Sequence, residues 1–275
     1  MPRALLANRG VVSVAGDDRL RFLQGLVSND VMAAGANDAA VWAALLTPQG
    51  KWLADFFLLG DGERVLLDCE RGQAAWLAAH LGRYRLRARV TIADESDRWD
   101  VLAAWGGAAP VGLAARDPRL PEAGWRCLVP AGSATGDAGE EEYDRHRLAL
   151  GLPDGSRDLE SGRTVLLEAG FDELHGVSWT KGCYMGQELT ARTRYRGLVK
   201  RRLVPVAVEG ALPEAGTPVL LDGSEVGALR SGRDGRALAL LRLEAIRARV
   251  PLACGEATLR AEPPRWMVLP EEEAA

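Results

Sequence analysis

At 275 residues the chain can bury a sizeable core, as one large domain or as two or three small ones. Apolar residues make 47% and charged residues 26%, as in ordinary globular proteins, and a net charge of −4 excludes nucleic-acid binding driven by overall charge. The longest uncharged apolar run, Ala39 to Leu46, is far short of a membrane span.

Val11 to Val14 reads as a short strand closed by Gly16. Asp17 or Asp18 then caps a helix through Leu26, with Leu20, Leu23 and Leu26 or Val27 on one face. Val41 to Leu46 and Trp52 to Leu59 are apolar strands around a Pro48-Gln49-Gly50 turn, which predicts a β-hairpin with room for a bulge. Glu63 to Asp68 makes a further strand, Arg71 to Arg83 has helical spacing, and Arg89 to Ile92 and Val101 to Trp105 are strand candidates. Residues 106–124 and 131–139, rich in Gly, Ala and Pro, read as loops.

Glu140 to Leu150 is a helix with three glutamates at its positive end, stopped by Gly151 and Pro153. Beyond residue 202 the pattern changes to short alternating runs with frequent Gly and Pro. Leu203 to Val208, Val219 to Leu221, Val226 to Ser231 and Ala237 to Leu241 predict a small β-rich domain. Two units follow, residues 1–202 and 203–275.

Chemistry concentrates in Lys181-Gly182-Cys183-Tyr184-Met185-Gly186-Gln187-Glu188, which continues to Arg192. Two glycines allow positive φ or close approach to a ligand, and a cation beside a thiol favours the thiolate, the reactive and metal-binding form. Cys183 reads as a nucleophile, a redox centre or one ligand of an iron–sulfur cluster; the plain alternative is a small apolar residue at a tight turn. Because clusters usually take about four protein thiolates, a lone thiolate holds one only transiently or with a partner. Cys69, Cys127 and Cys254 read as buried and inert, and no C-x-x-C pair is present. Of 34 Lys and Arg, three are lysines, Lys51, Lys181 and Lys200, which hints that a compact ammonium is wanted there. His80, His146 and His175 lack metal-ligand spacing, so no metal site is expected.

Three further positions and a basic strip stand out. Glu168 follows an apolar run in Leu166-Leu167-Glu168-Ala169-Gly170, a costly place for a charge unless it is paired. Asp55 is the single charge in an apolar strand, unless that strand is an edge and the carboxylate meets water. Tyr143 could stack on a flat ring or pack in the core. Arg192, Arg194, Arg196, Lys200, Arg201 and Arg202, with Lys181, form a basic strip suited to an anionic tail, an acidic partner or tRNA, or simply a solvated face.

KGCYMGQELTAR resembles the signature of the YgfZ-type folate-binding proteins, a branch of the aminomethyltransferase (glycine cleavage T-protein) superfamily. RFLQGLVSND, LTPQGKWLADFFL, LGLPDG and LLEAG appear in the order this family shows. The resemblance implies an α+β fold with T-protein-like interleaved subdomains, antiparallel sheets around a central folate channel, and a C-terminal β-barrel-like domain. It implies a tetrahydrofolate-binding accessory protein for assembly or repair of iron–sulfur clusters in client enzymes, including radical enzymes that modify tRNA. Partners would be a reduced folate and iron–sulfur assembly or client proteins, with no membrane and no direct nucleic-acid contact.

Glu168, Tyr143, Asp55, Arg192 and Arg194 would then hold folate, and Cys183, Lys181 and Asp55 would carry chemistry. The superfamily's enzymes carry paired aspartates where this chain has Ala54-Asp55, and adjacent strand residues face opposite sides. The rival function is a folate-dependent aminomethyl or methyl transferase; a thiol-redox or RNA-binding protein is a third. The first residues, MPRALLANRG, lack a signal peptide's apolar stretch, and an acid appears by Asp17, unlike a transit peptide, so a cytoplasmic protein is expected.

Overall fold

The apolar stretch around Pro48-Gln49-Gly50 dictates the central hairpin of the computed structural model, which describes residues 2–35 and 39–270. The chain opens with β1 (Arg3–Leu5), β2 (Arg9–Ala15) and the short helix α1 (Arg19–Gln24). The hairpin pairs β3 (Ala40–Leu46) with β4 (Trp52–Asp61), and its register slips after Leu45, so the bulge allowed for near the turn is present. Next come β5 (Arg64–Glu70), α2 (Arg71–Gly82) and β6 (Thr91–Asp94). These strands form an antiparallel sheet in the order β3-β4-β5-β2-β6.

One face of this sheet packs under the helices. Ala74, Leu77 and Leu81 of α2 recur at near-helical spacing and meet Val41, Ala43, Phe56 and Leu58 in one apolar cluster. The other face presents Trp42, Ala44, Phe57 and Leu59 to a second sheet. That sheet holds β7 (Trp99–Ala104), β8 (Leu113–Arg116) and β9 (Trp125–Pro130) in the order β1-β7-β9-β8. The first strand of the chain thus serves the second sheet, which interleaves the two halves. Residues 106–124, expected as loop, contain β8. Four residues among glycines and prolines are too few to show a period.

α3 (Glu140–Leu150) runs as expected. The Glu142 carboxylate accepts the Gly139 N–H at 3.0 Å, and Gly151 turns left-handed at φ 75°. A long irregular stretch follows, then α4 (Gln187–Tyr195), a helix where an arginine-rich strip without helical signal was read. Only Thr190 of α4 is buried, so no apolar stripe marks it.

The last unit is a closed antiparallel barrel. It comprises β10 (Arg201–Glu209), β11 (Pro218–Leu221), β12 (Ser224–Arg233), β13 (Arg236–Arg242), the helix α5 (Leu243–Ala248), β14 (Leu252–Cys254) and β15 (Ala257–Ala261). Arg147 of α3 ties it to the core. Its guanidinium, 1% exposed, lies 2.7 Å from both Asp144 and Asp158 and donates to Ser231 of β12 at 2.6 Å. Removing one partner of such a buried pair costs about 3–5 kcal/mol.

Candidate functional site

Cys183 is exposed, while Cys69, Cys127 and Cys254 are buried as expected. Burial pushes the Cys69 thiol up to about 12 and Cys127 up to about 11, which keeps both protonated and unreactive. The Cys183 loop has no regular structure of its own, so its shape comes from anchors on either side. Ser178 N–H donates to Ser28 O at 3.0 Å, and Met185 N–H to Gly25 O at 3.3 Å. Gly186 adopts φ 81°, and a Cβ there would meet Thr47 O at 2.6 Å and the Gly50 Cα at 3.0 Å. Gly50, at φ 65°, approaches Gly186 from the hairpin turn. The LTPQGK and KGCYMGQ motifs therefore dock on each other glycine to glycine, which accounts for both. Gly182 differs: its φ is 96° but its missing Cβ would face open space.

Lys181 does not use its charge as sequence adjacency to the thiol suggested. Its ammonium donates to Val27 O at 2.7 Å and Asn29 O at 2.6 Å. Loss of water lowers its pKa to about 8, with Asp30 opposing the shift. The Asn29 amide donates in turn to Trp42 O at 2.8 Å and His175 O at 2.7 Å, so the SND turn scaffolds the cysteine loop.

Asp55 is 6% exposed on β4, an interior strand, so the water-facing alternative does not hold. Its two carboxylate oxygens accept the indole N–H groups of Trp42 at 2.9 Å and Trp52 at 3.1 Å. Trp42 stacks on Phe171 with ring centroids 3.9 Å apart. Burial raises the Asp55 pKa, against the pull of Arg9. Nearby lies an ionic cluster that the sequence did not reveal. Arg9 pairs with Asp68 at 2.6 Å, Arg119 with Asp117 at 2.7 Å, and Arg126 reaches Asp68 at 3.4 Å. Arg126 also donates to the Tyr143 hydroxyl at 2.7 Å and lies 4.3 Å from the Phe57 ring centre. Tyr143 is thus a buried member of this cluster. The signal available was Arg126 within the apolar run Trp125–Pro130.

Glu168 occupies a 3₁₀ turn, Leu166–Ala169, and is 7% exposed. Arg201 faces both its oxygens, with Nε at 3.3 Å and Nη2 at 3.2 Å. The pair borders a cleft of about 720 Å³, lined also by Lys200, Val199 and Arg242. Asp55 and Tyr143 do not line this cleft. Arg194, on the inner side of α4, lies 3.4 Å from Asp172 and 4.2 Å from the Trp179 ring centre. Arg192 faces outward, exposed. Among the described residues, no group of three or more His, Cys, Asp or Glu could hold a metal ion, and no helix is long and apolar enough to cross a membrane.

The architecture matches the crystal structure of the glycine cleavage system aminomethyltransferase T from Bartonella henselae with a TM-score of 0.76, over 97% of this chain and 86% of that one. At 17% identity the likeness is one of fold. Residues 200–269 match the family model described as CAF17, C-terminal beta-barrel domain. The protein is therefore of the T-protein fold class with a CAF17-type barrel.

Its relatives narrow the class. The iron-sulfur cluster assembly factor IBA57, mitochondrial, of Homo sapiens is 37% identical, over 95% of this chain and 84% of the relative. That of Mus musculus is 35% identical, over 93% and 82%. The homolog of Mycosarcoma maydis is 37% identical over 74% of this chain and 56% of its own length. The chain belongs to the IBA57 family of iron–sulfur cluster assembly factors. The cytoplasmic expectation is overturned, because these relatives are named as mitochondrial. It had rested on the composition of a few leading residues, which carries no reliable address.

Proposed function

We propose that this protein serves iron–sulfur cluster assembly through Cys183, in the manner its relatives' name describes, with a reduced folate held beside Glu168. The observation that carries the reading is the contrast among its cysteines. One thiol is exposed on an anchored, glycine-flanked loop, and the other three are sealed in the core. One thiolate leaves most of a cluster's coordination unfilled, and no metal-holding group exists among the described residues. A cluster, as cargo, is accordingly held between Cys183 and thiolates of a second protein. The clients include enzymes that depend on such clusters, radical enzymes that modify tRNA among them; this follows the YgfZ-type motif resemblance.

The Glu168 cleft fits a reduced folate. Its volume falls within the roughly 300–1,000 Å³ of small-molecule sites. The Glu168 carboxylate retains lone pairs beyond those facing Arg201 for the N–H edge of a pteridine. Lys200, Arg201 and Arg242 suit an anionic tail. When bound, such a folate would supply one-carbon or reducing chemistry. Asp55 acts in this reading as a positioning residue, holding the two indoles. Both its oxygens are occupied in the core, which weighs against the transferase alternative. We place the division between the folate-binding unit and the barrel after residue 202.

Deletion of the gene, complemented by wild type or by Cys183→Ser, tests the cluster role. Cluster-dependent enzyme activities should fall on deletion and stay low with the serine variant; normal activities in both would overturn it. Titration with tetrahydrofolate, read by the eight tryptophans, tests the cleft. Binding should be lost in Glu168→Gln.

A further inference from the structure

Residues 71–90 hold five arginines and no acidic residue, and neither the cluster role nor the folate cleft uses any of them. α2 supplies the first part of this segment. Its inner face is buried through Ala74, Leu77 and Leu81. On the opposite side Gly72, Ala75, Trp76 and Ala79 fall within about 100° of arc. All four are exposed, and none carries a charge. The outer face of a surface helix is normally charged or polar, so a bare one calls for an apolar neighbour. Trp76, 41% exposed, stacks on His80 with ring centroids 4.8 Å apart, and His80 meets Tyr84 at 5.5 Å.

The turn after α2 adds the charge. Ala88 N–H donates to Arg85 O at 2.7 Å, and within that turn Leu86 is 89% exposed at φ 42°. A leucine in the left-handed region is strained, and folding gains nothing by holding it there in water. Its place points to a contact outside the chain. Arg83, Arg85 and Arg87 flank it, exposed and without ion-pair partners among the described residues. Arg21 of α1, exposed and unpaired in the same sense, shares the rim of a small cleft with Arg87 and Asp18. Asp17 and Asp18 face Arg89 at 3.3 and 3.5 Å, so their charge is taken up there. The Tyr84 hydroxyl, donating to the Met185 sulfur at 3.7 Å, holds the base of the turn.

We infer that the outer face of α2 and the turn after it rest on an anionic lipid bilayer. Leu86 and Trp76 enter the boundary between headgroups and acyl chains, and Arg21, Arg83, Arg85 and Arg87 meet lipid phosphates. A projecting leucine among arginines suits a fluid apolar layer beneath an anionic surface. The glycine and alanines of the stripe offer a folded partner no bulky anchor. Single-stranded RNA needs free aromatic faces beside the charges, and Tyr84 is engaged with His80 and Met185. The net charge of −4 repels the rest of the molecule from the same surface, which orients the contact. No helix among the described residues crosses a membrane, so the chain lies on the bilayer, a departure from the expectation of no membrane partner.

Flotation of the full chain with vesicles of equal parts phosphatidylglycerol and phosphatidylcholine, beside vesicles of phosphatidylcholine alone, reads the contact directly. The mixed vesicles should carry the protein, the neutral ones should not, and salt should weaken the binding. Arg85→Gln together with Arg87→Gln should lower the partition constant by about 25-fold, at about fivefold for each arginine near the surface. Leu86→Gly should lower it by about tenfold at every salt concentration. Urea unfolding should show that this variant keeps its stability, because glycine accepts the positive φ. A leucine with a structural role alone would give the opposite pair of results, lost stability and unchanged partition. The bilayer assignment is overturned if no vesicle carries the protein, if neutral vesicles carry it equally, or if the arginine pair changes nothing. Displacement from vesicles by soluble glycerol phosphate or by poly(U) RNA would overturn it too, assigning the arginines to a free phosphate or to nucleic acid.

Discussion

Cys183 and Asp55 occupy opposite environments within one half of the molecule. The thiol stands on an exposed loop flanked by two positive-φ glycines, while the carboxylate is 6% exposed with an indole N–H on each oxygen. A thiol that served the proposed exchange of a cluster would have to be reachable but held still. Here the holding is done by neighbours: Gly186 against Gly50, and the Lys181 ammonium on two carbonyls. A group that orders a core must be saturated. Asp55 is, and through Trp42 and Asn29 it connects to the carbonyl that anchors Lys181.

The largest expected effect lies on the exposed side. Cys183→Ser should abolish maturation of cluster-dependent enzymes while changing unfolding free energy by less than about 0.5 kcal/mol, as for an exposed side chain. Denaturant unfolding beside enzyme assays of the complemented strain reads both. A substantial loss of stability would show that the thiol is part of the packing after all.

Asp55→Leu should behave in the opposite way. It leaves two buried indole N–H groups without acceptors, at about 1–3 kcal/mol each. Unfolding free energy should therefore fall by about 2–6 kcal/mol. Asp55→Asn, keeping one acceptor, should lose about half as much. Cluster activity should decline only with the folded fraction. If instead Asp55→Asn stays fully stable and a one-carbon transfer to tetrahydrofolate disappears, the transferase reading displaces the accessory one.

The two glycines of the loop sharpen the same contrast on a smaller scale. Gly186→Ala meets both left-handed strain and the Thr47 carbonyl, and should cost about 2–4 kcal/mol. Gly182→Ala meets strain alone, since nothing lies within 4 Å of its Cβ, and should cost about 1–2 kcal/mol. Equal costs at the two positions would contradict the glycine-to-glycine docking of the motifs.

Local signals explain which parts of this could be foreseen. α3 announces itself through its glutamates and Gly151, and the hairpin through Pro48-Gln49-Gly50. The exposure of Cys183 was legible because a thiol between two glycines has no packing purpose. α4 was not legible, since a helix burying only Thr190 has no apolar period to read. The Arg9–Asp68 and Arg126–Asp68 contacts join residues 59 and 58 apart, and no local pattern encodes such pairing. Lys181 misled for the same reason. Its neighbour in sequence is the thiol region, but its hydrogen-bond partners lie 154 and 152 residues away. Glu168 reads as a charge in need of a partner, which the motif resemblance supplies as folate, whereas Arg201, which faces it in the fold, reads in the sequence only as part of a basic strip.

The last effect concerns pH. Loss of water lowers Lys181 from its ordinary 10.5 to about 8 in the folded protein, Asp30 opposing. Between those values the unfolded chain binds the proton that the folded chain releases, so stability rises with pH across the window. As pH falls through about 8, that contribution is lost, and the ammonium is held in a partly dry site at a cost. Urea unfolding of wild type should show this gentle rise from pH 8 to 10.5, and Lys181→Met should flatten it. Parallel curves for the two proteins would mean that the Val27 and Asn29 carbonyls fully offset the lost water, making the Lys181 contact a clamp on the Cys183 loop rather than a strained one.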